Sequence, residues 1–439
     1  MSIAFYSWGE SSLVLIILLS AVVDFSSALI IETGKKKLGL SLSLIFNLGI
    51  LLYFKYADFA FTNLVSFLNH FNISIEDATR FSDVILPLGI SFYTFQTMSY
   101  TIDVYRGHVK ADKNFINFVT YVTLFPQLIA GPIVRYKEVE KELKNRKTTI
   151  PLFAEGAERF IIGLAKKMII ANNCAFLADS IFDMPNNEMS ALLGWLGVIA
   201  YSFQIYYDFS GYSDMAIGLG KMLGFNFPEN FNFPYISKSI REFWRRWHMT
   251  LSQWFRDYVY ISLGGNRKGN FRTYINLFIV FFVTGLWHGA SWTFIVWGLI
   301  HGLFITIERI GFGKTLNTLP KIVSHVYTLL IVSVSWVFFR SETITEGLNY
   351  TKTMFTFSTQ TNTDFLLFLC SKEALIALLL AVLFATPVYK KVNQFIALQF
   401  KNHTNIYATL KYSSLVVMFI LSCIYITVDS YNPFIYFRF

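Results

Sequence analysis

Long apolar runs recur along the whole chain, and they limit what it can fold into more than any other feature of the sequence. The runs from Leu13 to Ile31 and from Leu38 to Tyr56 each come close to the ~20 residues that a helix needs to cross a bilayer. The chain is 54% hydrophobic and only 15% charged, and a soluble domain of 439 residues could not cover so much apolar surface. The sequence therefore predicts an all-α polytopic membrane protein.

Basic residues between the apolar runs predict how the chain crosses the membrane. Lysines at 35–37 follow the first run, and further Lys and Arg residues follow later runs. The positive-inside rule places such loops in the cytoplasm. Both termini are then extracytoplasmic, in a multi-pass protein of the cell (inner or plasma) membrane. The formal net charge of +9 has the same origin and does not indicate a nucleic-acid partner.

Hydropathy predicts roughly ten to twelve membrane segments in a single integral membrane domain spanning 1–439. We expect N-terminal helices within residues 8–110. A catalytic core with re-entrant and amphipathic segments is expected within 111–310, and C-terminal helices within 311–439. Plain spans are predicted at 191–207 and 375–389, and an extracytoplasmic segment at 58–83.

One apolar stretch of the core, from Phe115 to Ile133, differs from a plain span. It is interrupted by Pro126 and by Gly131-Pro132, and basic residues flank it on both sides. Irregular backbone at membrane depth must be buried in protein or line a cavity. The stretch is therefore predicted to be re-entrant, entering and leaving on the same face.

The region from Asp208 to Arg272 mixes polar, aromatic and basic residues and has no run long enough to span a bilayer. Between Ile240 and Tyr258, apolar residues recur at helical spacing. This pattern predicts one amphipathic helix with an aromatic face and an arginine-rich back, lying at the cytoplasmic interface. His248 lies at the border of its apolar face, where it can reach the interior of the bundle.

Two histidines mark the candidate site. His288 lies in the stretch TGLWHGASW at 284–292, near the bend of a predicted hairpin. An ionisable group in hydrocarbon is costly and indicates function, although a lone buried histidine is often a hydrogen-bonded structural group. His248, in the distant stretch FWRRWH at 243–248, brings a second imidazole to an aromatic surface, and together the two predict a site. On a continuous helix His301 would face away from His288, which indicates a structural role.

The residue types around these histidines favour acyl transfer. An imidazole with a pKa near ~6.5 accepts and returns a proton at neutral pH, as acyl transfer to a hydroxyl requires. The sequence has no serine or cysteine in a nucleophile elbow and no paired carboxylates, and its cysteines lack metal-ligand spacing, so no metal is expected. The simplest hypothesis is direct transfer, in which a base activates an acceptor hydroxyl against an acyl donor held in the membrane.

Several motifs resemble the membrane-bound O-acyltransferase (MBOAT) family, and within it the bacterial alginate O-acetylase membrane-subunit branch. The resemblance covers most of the chain from Leu86 to Gly302. It rests on AGPIVRY at 130–136, YYDFSGYSDMAIG at 206–218, EFWRRWHMTLS at 242–252, RDY at 256–258, LGGNR at 263–267 and WHG at 287–289.

The resemblance implies roles for both histidines and an architecture around them. It implies that His288 is the catalytic histidine and that His248 is its partner at the near end of the acyl-donor tunnel. A ring of helices would surround a thin central floor, where a cytoplasmic acyl thioester meets an acceptor from the other face. The donor substrate would be acetyl-CoA, or another acyl-CoA or carrier-bound acyl group, with no bound cofactor. A separate extracytoplasmic acetyltransferase partner would complete transfer onto a polysaccharide acceptor.

Four further residues are candidates for substrate binding: Trp244, Arg245, Asp208 and Trp287. Arginine forks suit the phosphates of a donor, although attraction to anionic lipid explains the same charges. Asp208 lies beside a membrane span. It would orient a histidine or the basic helix, or simply pair with Arg245 or Arg246.

Other functions remain open at this stage. The acceptor could be alginate-like exopolysaccharide, peptidoglycan or another cell-wall polymer, because specificity can lie in the partner. A transporter or flippase would also use a polytopic bundle with an intramembrane histidine. Transporters often have paired broken segments in two related halves, and the broken stretch at Pro126 has no counterpart. A non-catalytic scaffold for polysaccharide export is a third hypothesis.

Overall fold

The computed structural model describes residues 2–73, 84–185, 188–356, 363–369, 371–400, 404–428 and 432–435. Within these ranges the chain is helical and has no β-strand. Six of the described helices are long and apolar enough to cross a membrane, and a bent pair at 372–399 adds a seventh if it counts as one span. The prediction of an all-α, multi-pass membrane protein is confirmed.

The helices are numbered here in chain order, leaving out most single turns. They are α1 (Ser2–Glu32), α2 (Lys36–His70), α3 (Ile90–Tyr105), α4 (Phe115–Thr123), α5 (Phe125–Leu128), α6 (Tyr136–Lys144), α7 (Ile150–Phe182), α8 (Ala191–Met222), α9 (Ile240–Trp244), α10 (Met249–Trp254), α11 (Gly269–His288), α12 (Trp292–Ile307), α13 (Lys321–Arg340), α14 (Ile344–Phe355), α15 (Thr363–Leu369), α16 (Lys372–Phe384), α17 (Val388–Gln399) and α18 (Thr404–Val428).

Two helices run well past the ends that hydropathy predicts. α8 continues to Met222 instead of ending near 207, because its polar residues are buried against other side chains and lower the hydropathy without ending the helix. α2 continues to His70, through part of the segment that was expected to lie outside the membrane. The rest of that segment, 74–83, lies outside the described residues.

The prediction of one amphipathic helix from Ile240 to Tyr258 is wrong. The chain forms α9, then a break, then α10, and His248 lies in the break with a left-handed φ of 41°. The apolar stripe itself is correct, but residues such as Trp247 and Leu251 are buried inside the protein and do not lie on lipid. The apolar face of α9 and α10 therefore packs in the core, and the position of this segment at the cytoplasmic interface stays a prediction.

Two breaks in the membrane helices occur beside a proline. The stretch at 115–133 divides into α4 and α5, with extended backbone at Leu124 and Pro126 at the start of α5. This confirms the predicted interruption, while same-face entry stays a prediction. The predicted span at 375–389 is bent, because α16 and α17 meet at an angle of 76° beside Pro387, and its crossing of the membrane stays a prediction.

Glycines let α7 and α8 approach to backbone contact. A Cβ added at Gly163 would lie 2.6 Å from the carbonyl oxygen of Gly211, and one added at Gly156 would lie 2.5 Å from that of Gly218. Small residues at such spacing are typical of close helix packing in membranes. The contact fixes α8, whose middle turns carry residues that pack around the candidate site.

Candidate active site

His288 is the last residue of α11, at the bend of a tight helical hairpin. The chain turns at 289–291 and α12 begins at Trp292, as the hairpin prediction required. A Cβ at Gly298 would lie 2.3 Å from the carbonyl oxygen of Phe281, and one at Gly285 would lie 2.4 Å from that of Phe294. The two helices therefore pack without space between them, and the bend holds His288 in the protein interior.

Aromatic rings enclose the imidazole of His288. Its centroid lies 4.9 Å from Trp287, 4.8 Å from Trp297 and 5.2 Å from Phe339, each ring nearly perpendicular to it. The side chain is 3% exposed. Such an environment excludes bulk water, and electrostatic interactions are stronger there than in solvent.

His248 is held by a residue from an earlier loop. Its Nδ1 lies 3.1 Å from Oδ1 of Asn230, and the same oxygen accepts the backbone N–H of Thr250 at 3.3 Å. Because that oxygen is an acceptor, Nδ1 of His248 carries the hydrogen, and Nε2 carries the lone pair of the neutral imidazole. The backbone oxygen of Asn230 also accepts the N–H of Met249. This loop therefore supports the backbone break that turns His248 inward.

Both histidines pack against the indole of Trp287. The ring of Trp287 lies 6.0 Å from His248 and 4.9 Å from His288. Phe92 of α3 packs against both Trp287 and His248, at 5.3 Å and 6.5 Å. The structure thus brings together the two histidines and the tryptophan that the sequence singled out.

A cavity of about 410 Å³, called here the Arg-lined cavity, opens beside the hairpin. It touches α11 up to Thr284, one turn before His288. Trp244 and Arg245 both line it, and Trp244 packs 5.7 Å from Trp297 in the aromatic shell of His288. Among the described residues that line it, no side chain is acidic and four are arginines, namely Arg241, Arg245, Arg256 and Arg309.

A second cavity, called here the small cavity, has a volume of about 80 Å³ and lies at the bend of the hairpin. Trp287 and His288 line it together with Lys55 of α2 and Ser91 of α3. The two cavities therefore contact successive turns at the end of α11. His288 lines the small cavity, while the lining of the Arg-lined cavity ends at Thr284, so a continuous central tunnel stays a prediction.

Asp208 is placed differently from the expectation. It forms a buried ion pair with Lys167 of α7, with 2.5 Å between Nζ and Oδ1, and its Oδ2 accepts the backbone N–H of Ile435 at 2.7 Å. Arg245 is exposed, and Arg246 pairs within its own turn of the chain. The expected pairing of Asp208 with Arg245 or Arg246 is therefore wrong, and its proposed contact with substrate stays a prediction.

Replacing Asp208 by leucine is expected to destabilise the protein by about 3–5 kcal/mol, because it leaves the Lys167 ammonium buried without its partner. The double change Asp208→Leu with Lys167→Met is expected to recover most of that loss, since both charges are then removed. Thermal unfolding of the detergent-solubilised proteins measures both effects. An Asp208→Leu protein with wild-type stability but no activity would instead indicate contact with substrate.

His301 does not face away from the site. The chain reverses between His288 and His301, so the helix is not continuous, and the His301 ring lies 5.2 Å from both Trp244 and Trp297. Ser335 lies 3.0 Å from its Nε2. The orientation argument from the sequence is wrong, while a hydrogen-bonded, structural role fits these contacts.

Sequence reasoning missed Asn230 and Lys55. Nothing in the loop around Asn230 marks it, because its importance comes from contacts with residues 18 to 20 positions away. Lys55 had a usable signal, since it is a single lysine near the end of a long apolar run. Its proximity to Tyr56, where the predicted span ended, made it look like a flanking residue.

Comparison with known proteins decides the family. Residues 108–339 match the model of the membrane-bound O-acyltransferase family. The chain belongs to this family. The matched region contains both histidines, the Arg-lined cavity and the hairpin, so the chain is an acyltransferase that works on an acyl donor in the membrane.

Similar curated proteins extend over most of the chain. The probable alginate O-acetylase AlgI of Pseudomonas putida is 42% identical over 90% of this chain and 82% of its own length. The protein of the same name from Azotobacter vinelandii is 39% identical, covering 100% of this chain and 93% of its own. The peptidoglycan O-acetyltransferase of Helicobacter pylori is 34% identical, covering 100% and 90%.

Proposed function

We propose that this MBOAT enzyme moves an acetyl group from acetyl-CoA across the membrane toward hydroxyls of an extracytoplasmic, alginate-like polysaccharide. The observation that carries the proposal is that two cavities lie on successive turns at the end of α11. One is lined by arginines and reaches Thr284, and the other is lined by His288. A transfer enzyme needs access from a donor and from an acceptor to one base. The relatives named alginate O-acetylase support the acetyl group and the polymer.

The Arg-lined cavity suits a phosphorylated donor. Arginine presents a planar fork that binds phosphate oxygens at two points, and four arginines here face a cavity without a lining carboxylate among the described residues. Trp244 and Phe281 form the apolar end of this cavity toward His288. We infer that the nucleotide part of acetyl-CoA lies on the arginines and that its acyl thioester extends past Trp244.

The proposed chemistry requires one base and a site from which water is excluded. His288 takes the proton from the acceptor hydroxyl, whose oxygen forms a bond to the thioester carbonyl carbon. The carbon–sulfur bond then breaks, and the thiolate receives the proton from the imidazole. His248, whose Nδ1 is committed to Asn230, orients the donor beside Trp287 with Nε2. The aromatic shell keeps water from competing with the acceptor.

Orientation and partners follow from the direction of transfer. We propose that the Arg-lined cavity opens to the cytoplasm, where acetyl-CoA is made, and that the small cavity faces the other side of the inner membrane. Both chain ends would then be extracytoplasmic. The small cavity is too narrow for a sugar chain, so the hydroxyl that reacts at His288 would belong to a separate extracytoplasmic acetyltransferase, which would then pass the acetyl group to the polymer.

A peptidoglycan acceptor is the second candidate. It is favoured by the full-length similarity to the Helicobacter pylori peptidoglycan O-acetyltransferase. Both candidates use the same membrane chemistry and differ in the polymer that is acetylated. Measuring ester-linked acetate separately on secreted polysaccharide and on purified cell wall, in a deletion strain with and without the gene restored, distinguishes them. Unchanged acetate on every polymer would contradict both.

Replacing Arg245 by glutamine is expected to raise the KM for acetyl-CoA about tenfold with little change in kcat, because a phosphate contact far from the reacting carbon is lost. S-acetylpantetheine, which lacks the nucleotide phosphates, should be used equally well by both proteins. Initial rates in inverted membrane vesicles measure this. An equal loss for both donors would show that Arg245 supports the fold or the apolar passage instead.

A further inference from the structure

A lysine from α2 reaches the end of α11 beside the proposed base. Lys55 lies in a π-helical turn, Leu52–Tyr56, inside α2. Its Nζ lies 2.6 Å from the carbonyl oxygen of Trp287, 3.2 Å from that of His288 and 3.2 Å from Oγ of Ser91. An ammonium has three N–H donors, and each of them has an acceptor here.

The neighbouring tyrosine binds the same turn. The hydroxyl of Tyr56 donates to the carbonyl oxygen of Leu286 at 2.6 Å. One π-helical turn of α2 therefore binds three consecutive carbonyls at the end of α11. The last carbonyls of a helix lack partners within the helix, and a cation there interacts favourably with the helix dipole. Lys55 thus donates hydrogen bonds to the carbonyls at the helix end that carries His288.

The contact of Lys55 with the end of α11 carries a cost in free energy that apolar packing does not have. A lysine inside an apolar run loses solvation in the membrane. The hairpin itself is already held by the close contacts at Gly285 and Gly298, in which Lys55 takes no part. The lysine therefore controls the final turn of α11, and with it the backbone of His288.

We propose that Lys55 is a positioning residue for acyl transfer. It fixes the last turn of α11, so that the imidazole of His288 is held at the small cavity, one turn beyond the Arg-lined cavity. The inference rests on the proposed function, because it takes His288 as the base. Lys55 acts through His288, while donor binding depends on other residues. Its loss should lower turnover and leave donor affinity unchanged.

The test compares Lys55→Met with wild type in inverted membrane vesicles supplied with labelled acetyl-CoA. Methionine keeps the length and apolar stem of the side chain but has no charge and no donor. We expect kcat to fall about 100-fold, as for a displacement of about 1 Å in a reacting group, with the KM for acetyl-CoA within about twofold of wild type. Lys55→Arg, which keeps the charge and donors, should recover about tenfold of that loss. Lys37→Met, an exposed lysine of the same helix, is the matched control.

Each outcome decides the proposal. A wild-type kcat in Lys55→Met overturns it. Loss of folded protein, or of acetyl-CoA affinity, in both Lys55 variants also overturns it, because Lys55 would then serve the fold. Failure of the proposed function looks different, since wild type and Lys37→Met would then transfer no acetyl group from acetyl-CoA.

Discussion

Replacing His288 by alanine is expected to abolish polymer acetylation, with a rate reduction on the order of 10³-fold, while the protein remains in the membrane at its normal level. The imidazole lines the small cavity and is enclosed by aromatic rings. Alanine removes the base and leaves a void, but the hairpin contacts at Gly285 and Gly298 are unaffected. The measurement is ester-linked acetate on surface polymers in a deletion strain carrying each variant.

Two further variants make this result specific. His288→Gln keeps a polar side chain of similar size but cannot accept a proton at neutral pH, so it should be as inactive as alanine. His70→Ala changes an exposed histidine at the end of α2 and should behave as wild type. Full acetylation by His288→Ala at normal abundance would show that His288 is not the base. The transporter and scaffold hypotheses would then be favoured.

Replacing Gly163 by leucine is expected to prevent folding. A Cβ at this position would lie 2.6 Å from the carbonyl oxygen of Gly211 and 2.8 Å from the backbone nitrogen of Met215. Backbone cannot rotate away as a side chain can, so α7 and α8 must separate. The cost should exceed the about 1–3 kcal/mol of ordinary overpacking. Because Phe209 of α8 packs 4.7 Å from His248, the site would be lost with the fold.

The matched control is Gly49→Leu in α2, where an added Cβ has no atom within 4 Å. We expect Gly163→Leu to be nearly absent from a monodisperse peak in detergent, and Gly49→Leu to match wild type. Gly211→Leu should repeat the Gly163→Leu result from the other helix. Normal yield and activity of Gly163→Leu would contradict the close packing of α7 on α8.

Much of the fold and part of the site could be predicted because they depend on local rules. Long apolar runs require helices in lipid, so the all-α multi-pass fold followed from hydropathy. The interruption at Pro126 followed from the missing N–H of proline. His288 could be singled out because an ionisable residue at a helix bend is unusual in a membrane protein. The glycine pairs 156/163 and 211/218 carry a signal too, because each pair is spaced by seven residues and lies on one face of its helix.

By itself the sequence determined the fold class, the helical hairpin, the broken stretch and the two histidines. Only the tertiary structure decided that the chain breaks at His248, that Asp208 pairs with Lys167, that His301 turns toward the site and that Lys55 binds the end of α11. The physical reason is the separation along the chain of the residues that interact. Periodicity and hydropathy act over neighbouring residues, whereas each of these four features depends on a partner from a distant segment, which only the packed helices bring within hydrogen-bonding or van der Waals contact.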